Sequence, residues 1–185
     1  MTHTCTQPLL LLDVDGPLNP FAARWRLRPR GYATHRFKPA DWIARHGPVP
    51  EEKVAFLRVW LKAEHGAQLT ALPYELVWAT AWRHGANTHI GPVLGLPVLP
   101  VLDWPSLFQP ELDGLHWKTR QIVEWAQGRP FAWVDDGITQ KEKRFVTAHH
   151  DGPSLLHWVD PRRGLRAKDF AALSEWAKHL PGTAG

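Results

Sequence analysis

The chain has 185 residues, of which 44% are hydrophobic and 11 are tryptophan; this is enough apolar mass for one packed core and too much for a disordered chain. The single cysteine, Cys5, excludes an intramolecular disulfide and any zinc site built on paired cysteines. The net charge of +4 is uneven: Arg24, Arg26, Arg28, Arg30, Arg36 and Lys38 fall within residues 19–40 with no acid, so that stretch carries +6 and the rest of the chain −2.

A basic patch of this kind is suited to an anionic partner. No apolar run reaches the ~20 residues of a membrane helix. The run "LLLL" at 9–12 is too short for a secretory signal and has no basic region before it. The expectation is a soluble, cytoplasmic protein with no membrane partner.

In chain order, residues 9–14 form the first predicted strand, four leucines running into Asp13 and Asp15 and breaking at Gly16-Pro17. Residues 19–50 are rich in Arg, Pro and Gly and read as an insertion. Within it, the alternation "RWRLRPRG" would put Arg24, Arg26, Arg28 and Arg30 on one face of a strand and Trp25 and Leu27 on the other. Next, "PEEKVAFLRVWLKAEHG" has Pro50 first, acids in the first turn and Val54, Leu57 and Leu61 at helical spacing, which predicts a helix over 50–66. Strands are predicted over 76–80, 98–102, 131–134 and 155–159. Helices are predicted at "HWKTRQIVEWAQG", with Ile122, Trp125 and Ala126 on one face, and at "AKDFAALSEWAKHLPG", with Phe170, Leu173, Ala177 and Leu180. Residues 82–94 and 139–149 carry weaker helical patterns.

Continuous apolar strands separated by helices describe strands buried on both faces, as in a parallel sheet with right-handed crossovers. The fold expected is α/β: a three-layer, Rossmann-like sandwich around a mainly parallel five-stranded sheet, one domain over 1–185 with the insertion inside it. Ligands of such sheets sit beyond the carboxyl ends of the strands. There the sequence places Asp13 and Asp15, Thr80, Asp135 and Asp136, and Asp160.

Together, "LLLLDVDGPLN", "ELVWAT", "HWK" and "FAWVDD" resemble, in order and position, the four motifs of the haloacid dehalogenase (HAD) superfamily. The wording is similar to small bacterial HAD-like proteins and to the HAD domains of RNA-repair proteins, and the resemblance covers nearly the whole chain. It implies a phosphatase in which Asp13 is the nucleophile and Asp15 the proton donor and later base. Thr80 and Lys118 would meet the phosphoryl oxygens, and Gly16 would let the turn's amides approach them. Mg²⁺ would be held by Asp13, Asp15 through its backbone carbonyl, and Asp135 and Asp136, with the division of labour between the last two left open. Hard oxygen ligands suit magnesium, and a divalent cation offsets crowded carboxylates. Pro17 departs from the usual Thr or Val.

Each residue also has a plain structural reading. Asp13, Asp15 and the Asp135-Asp136 pair are good turn residues, Thr80 a good strand residue, Lys118 a solvated helix lysine, and Trp82 a core residue. Asp160, before Pro161, reads as a turn, and His149-His150 as surface. The insertion is read as a flap in which Arg24, Arg26 and Arg28 draw in a polyanion, or as a charged edge strand. Trp82, Arg83 and Asn87, just after Thr80, are further candidates for the site wall. The substrate is a phosphorylated small molecule or nucleotide, with a nucleic-acid end as the narrower alternative. A binding protein on the same scaffold is the reading from another class.

Overall fold

The computed structural model describes residues 7–24, 27–104, 107–108, 111 and 113–180. Its centre is a parallel sheet of β1 (Leu9–Leu12), β4 (Glu75–Trp78), β5 (Phe131–Asp135) and β6 (Ser154–Trp158), in the order β4-β1-β5-β6. Leu9 pairs with both Glu75 and Phe131, so β1 is central and its register sets that of its neighbours. All four leucines of β1 are fully buried because both faces of the sheet are covered. Successive strand side chains point to opposite faces, and the leucines divide accordingly. Leu10 and Leu12 pack with Leu69 of α2 (Glu64–Thr70), Leu94 of α3 (Gly91–Leu94) and Leu173 of α6 (Ala167–Lys178). Leu9 and Leu11 pack with Ile122 of α4 (Thr119–Ala126) and Val146 of α5 (Gln140–His149). This is the expected three-layer α/β sandwich.

Several expectations are corrected. Residues 98–102 form no strand: Val101 makes a single parallel bridge to Trp78, so the sheet has four strands and one rung of a fifth. Pro97 and Pro100 lack the N–H groups a longer strand would need, and Val98 is 84% exposed. The helix expected over 50–66 is a short turn at Glu51–Lys53, then β3 (Leu57–Leu61), then α2. β3 pairs antiparallel with β2 (Ala33–Phe37), and α1 (Ala40–Ala44) lies between them. The arginine strand is absent among the described residues: 27–29 are irregular and β2 starts only at Ala33. Trp25 and Arg26 lie outside the described residues. Trp125 is 37% exposed on α4, whereas Ile122 and Ala126 are buried. His149 is exposed as expected, but His150 is buried, its Nε2 3.1 Å from the Arg129 carbonyl. Asp160 makes the predicted turn, accepting from the Arg162 amide at 2.9 Å. Among the described residues no helix is long and apolar enough to cross a membrane.

His65 on α2 is buried between Tyr32 and Phe170, ring centroids 5.7 and 5.6 Å away. Burial lowers its pKa to about 4, the Lys62 charge adds to this, and a backbone hydrogen bond at Leu165 opposes it. The unfolded chain takes up a proton here near pH 6.5, whereas the native state resists until about 4. Stability is therefore lost as the pH falls through that window. Urea titrations at pH 7 and 4.5 are expected to show wild type losing about 2–3 kcal/mol more than His65→Gln. Equal losses would refute the assignment.

Candidate functional site

The carboxyl end of the sheet brings five predicted residues together. Asp13 follows the last residue of β1, Asp135 ends β5, Asp136 comes next, and Lys118 is the residue before α4. Lys118 is only 2% exposed, and its Nζ lies 2.8 Å from Asp13 Oδ2 and 2.7 Å from Asp135 Oδ2. It is thus no solvated helix lysine. Asp135 is tied further, accepting from Trp133 Nε1 at 3.1 Å and from the Gly137 amide at 2.7 Å. Asp136 has no other side chain bonded to its carboxylate among the described residues. Oxygens of Asp13, Asp135 and Asp136 lie within 4.8 Å of one another.

Asp15 stands beside them on the turn after β1. It accepts from Asn19 Nδ2 at 2.7 Å and from Trp82 Nε1 at 2.9 Å. The turn closes through the Leu18 and Asn19 amides, both to the Val14 carbonyl, and the Gly16 amide to the Asn19 carbonyl. None of these bonds needs an N–H at residue 17, which is why Pro17 fits; its carbonyl accepts from the Leu165 amide. Gly16 has φ +93°, and a Cβ there would sit 2.7 Å from the Asp136 side chain. Only glycine gives both this backbone and this approach.

The electrostatics are those of a site short of positive charge. Burial pushes Asp13 up to about 7, with Lys118 opposing and Asp135 and Asp15 adding to the rise. Burial likewise raises Asp15, against the hydrogen bonds from Asn19 and Trp82, and raises Asp136 to about 6 with help from Asp135. Burial would lower Lys118, but Asp13 and Asp135 outweigh it and hold the ammonium charged. Four carboxylates thus share one bonded ammonium. The donors are hard oxygens, three within reach of one ion, and they fit Mg²⁺.

Of the other predicted residues, only Trp82 bonds to this cluster among the described residues. Thr80 is fully buried, and its hydroxyl oxygen is 3.4 Å from the Trp82 amide. Trp82 touches the site by holding Asp15. Arg83 donates to the Trp104 carbonyl at 2.5 Å. Asn87 is a structural tie, accepting from Trp78 Nε1 and the Leu99 amide. Arg24 lines a separate open cavity with Arg162 and Arg163, and Arg28 is exposed.

Asn19, His116 and Trp117 belong to the site although no motif in the sequence gives them a role. Asn19 Oδ1 accepts from the Trp60 amide of β3 at 3.0 Å while its Nδ2 holds Asp15, so one amide couples the acidic turn to the β2–β3 hairpin. His116 and Trp117 precede Lys118 and line the acidic cavity with Phe21, Ala81 and Phe108. Glu142 accepts from the His116 amide at 3.0 Å and from Thr139 at the start of α5. It thereby fixes the segment that delivers Lys118. Asn19 had one sequence signal: it stands four residues after Asp15.

The family model for the HAD domain in Swiss Army Knife RNA repair proteins matches residues 9–170. No curated protein and no solved structure matches the chain. Since the match begins at the first residue of β1 and runs into α6, taking in Asp13, Asp15, Lys118, Asp135 and Asp136, the chain belongs to the HAD superfamily, in the family of HAD domains found in RNA repair proteins.

Proposed function

We propose that this protein is a Mg²⁺-dependent phosphohydrolase working through an aspartyl-phosphate at Asp13. The observation that carries the reading is the bridge from Lys118 to Asp13 and Asp135, set against three carboxylates close enough to share one cation. Lys118 holds the Asp13 carboxylate in place and meets the charge of the phosphoryl oxygens. An Asp13 oxygen attacks phosphorus in line, and the bond from phosphorus to the ester oxygen breaks. That oxygen leaves with the electron pair and takes the proton of Asp15. Burial, which raises Asp15, keeps a proton available there. Asp15, now ionised, accepts a proton from water as the water attacks the phosphoenzyme. Inorganic phosphate departs and Asp13 is regenerated. Thr80, in the turn after β4, is assigned to a phosphoryl oxygen on the family's pattern alone, since its hydroxyl is buried beside the cavity rather than lining it.

Asp13, the Asp15 backbone carbonyl and Asp136 would hold Mg²⁺. The ion supplies charge neutralisation of the phosphoryl group. Asp135 accepts from Lys118, Trp133 and the Gly137 amide and is assigned chiefly to positioning Lys118, with a carboxylate oxygen still within reach of the ion. β2, α1 and β3, inserted between β1 and β4, form a small cover in a single HAD-like unit.

Phosphate release from a panel of phosphorylated metabolites and 3′- or 5′-phosphorylated oligonucleotides is expected to require Mg²⁺ and to stop with EDTA. Asp136→Asn is expected to raise the half-saturating Mg²⁺ concentration at least about tenfold. Absence of Mg²⁺-dependent release from every substrate would favour a phosphoryl-ligand binding protein. Activity confined to oligonucleotides would identify an end-phosphatase of nucleic-acid repair. The family's description and the cavity lined by Arg24, Arg162 and Arg163 support that narrower reading.

A further inference from the structure

A second cavity, of about 130 Å³, adjoins the acidic one and shares Asp15, Ala81 and Phe108 with it. Its remaining walls are Pro39, Asp41, Trp42, Arg45, Leu57 and Trp82. We propose that this pocket receives the base of a nucleotide whose phosphoryl group lies in the acidic cavity. The inference rests on the phosphohydrolase reading, since it takes Asp15 as the donor to the leaving oxygen.

The position follows from that role. In-line attack puts the group attached to the leaving oxygen on the side of phosphorus away from Asp13 and next to Asp15, and Asp15 also lines the aromatic cavity. The chemistry follows from its walls. Trp42 donates its indole N–H to the Ala55 carbonyl at 2.8 Å, and Trp82 donates its own to Asp15 at 2.9 Å. Both rings are therefore held in place with their N–H groups spent; Trp82 is mostly buried and shows the cavity only part of its ring, whereas Trp42, half-buried with His46 packed 4.7 Å away, is the more open of the two. Arg45 sits 4.9 Å from the Phe108 ring centroid and adds a guanidinium plane at the wall. Fixed aromatic faces and an arginine plane are the means by which proteins stack single nucleobases. Asp41 and Arg45 supply an acceptor and donors for the base edge. The volume is well below the ~300–1,000 Å³ of sites for drug-sized ligands, and so favours a single ring system.

The test uses the full chain carrying Asp13→Asn, with Mg²⁺, and calorimetric titration of nucleoside 3′- and 5′-monophosphates against ribose 5-phosphate. At least one nucleotide is expected to bind about tenfold or more tightly than ribose 5-phosphate. Adding Trp42→Ala is expected to bring that ratio close to one, and Trp42→Phe to restore most of it. Phe108→Ala, at a side chain 56% exposed and so safe for folding, is expected to lower the ratio several-fold. Equal binding of nucleotide and sugar phosphate, or a ratio unmoved by both Trp42→Ala and Phe108→Ala, would overturn the base pocket. Mg²⁺-dependent release of phosphate from acetyl phosphate by the wild type reports separately on the phosphohydrolase reading, because that substrate has no base.

Discussion

Asp13→Asn is expected to lower turnover by at least about 10⁴-fold while leaving the fold intact or firmer. The two effects have one origin. Asp13 is buried at the end of the central strand, and burial drives its carboxyl up to about 7. Its ionised form is thus held at a cost to the native state. Asparagine keeps the shape, removes the charge and leaves Lys118 paired with Asp135 at 2.7 Å. A melting midpoint equal to or a few degrees above wild type would show that the lost activity is chemical. Acid-quenched wild type should carry a phosphoryl group by intact mass, and the variant none. Turnover within tenfold of wild type would remove Asp13 from the nucleophile's role.

The strands that build the site were legible because each ends in a polar residue after an unbroken apolar run. In a sheet covered on both faces, "LLLL" and "FAWV" have nothing else to be. The helix expected over 50–66 failed for a physical reason. Val54, Leu57 and Leu61 are spaced for a helix, but Val59 and Leu61 also alternate, and both are buried. What decides between the two is β2, which pairs Ala33 with Leu61 and Phe37 with Leu57. That partner, "ATHRF", lies some twenty residues upstream, and no spacing within 50–66 records it. Residues 98–102 illustrate the converse: apolar composition suggested a strand, and two prolines limited it to one rung.

The acidic cluster was legible in the same way, since topology alone brings strand ends together. The aromatic pocket was not. Trp42 and Arg45 come from α1, Leu57 from β3 and Phe108 from a segment without regular structure. No local spacing marks residues that meet only through the hairpin. Asn19 shows the same limit, since its second partner, the Trp60 amide, is 41 residues away.

Lys118→Met is expected to destabilise the protein by about 3–5 kcal/mol at pH 7, besides removing activity. Methionine retains the length and much of the volume of the stem, so packing changes little. What is lost is the ammonium 2.8 Å from Asp13 and 2.7 Å from Asp135. Two buried carboxylates are then left without their countercharge, which is the costly way to break a buried pair. The sign of the pH dependence separates this cause from a packing defect. Unpaired buried acids bind protons more tightly in the native than in the unfolded state. The deficit should therefore shrink as the pH falls from 7 towards 5, whereas a cavity would cost the same throughout. Adding Asp135→Asn removes one of the stranded charges and should recover part of the stability without recovering turnover. Chemical denaturation of wild type, single and double variants at both pH values measures all of this. A deficit that is independent of pH and unrelieved by Asp135→Asn would mean that Lys118 matters for packing, and the electrostatic account of the site would fall with it.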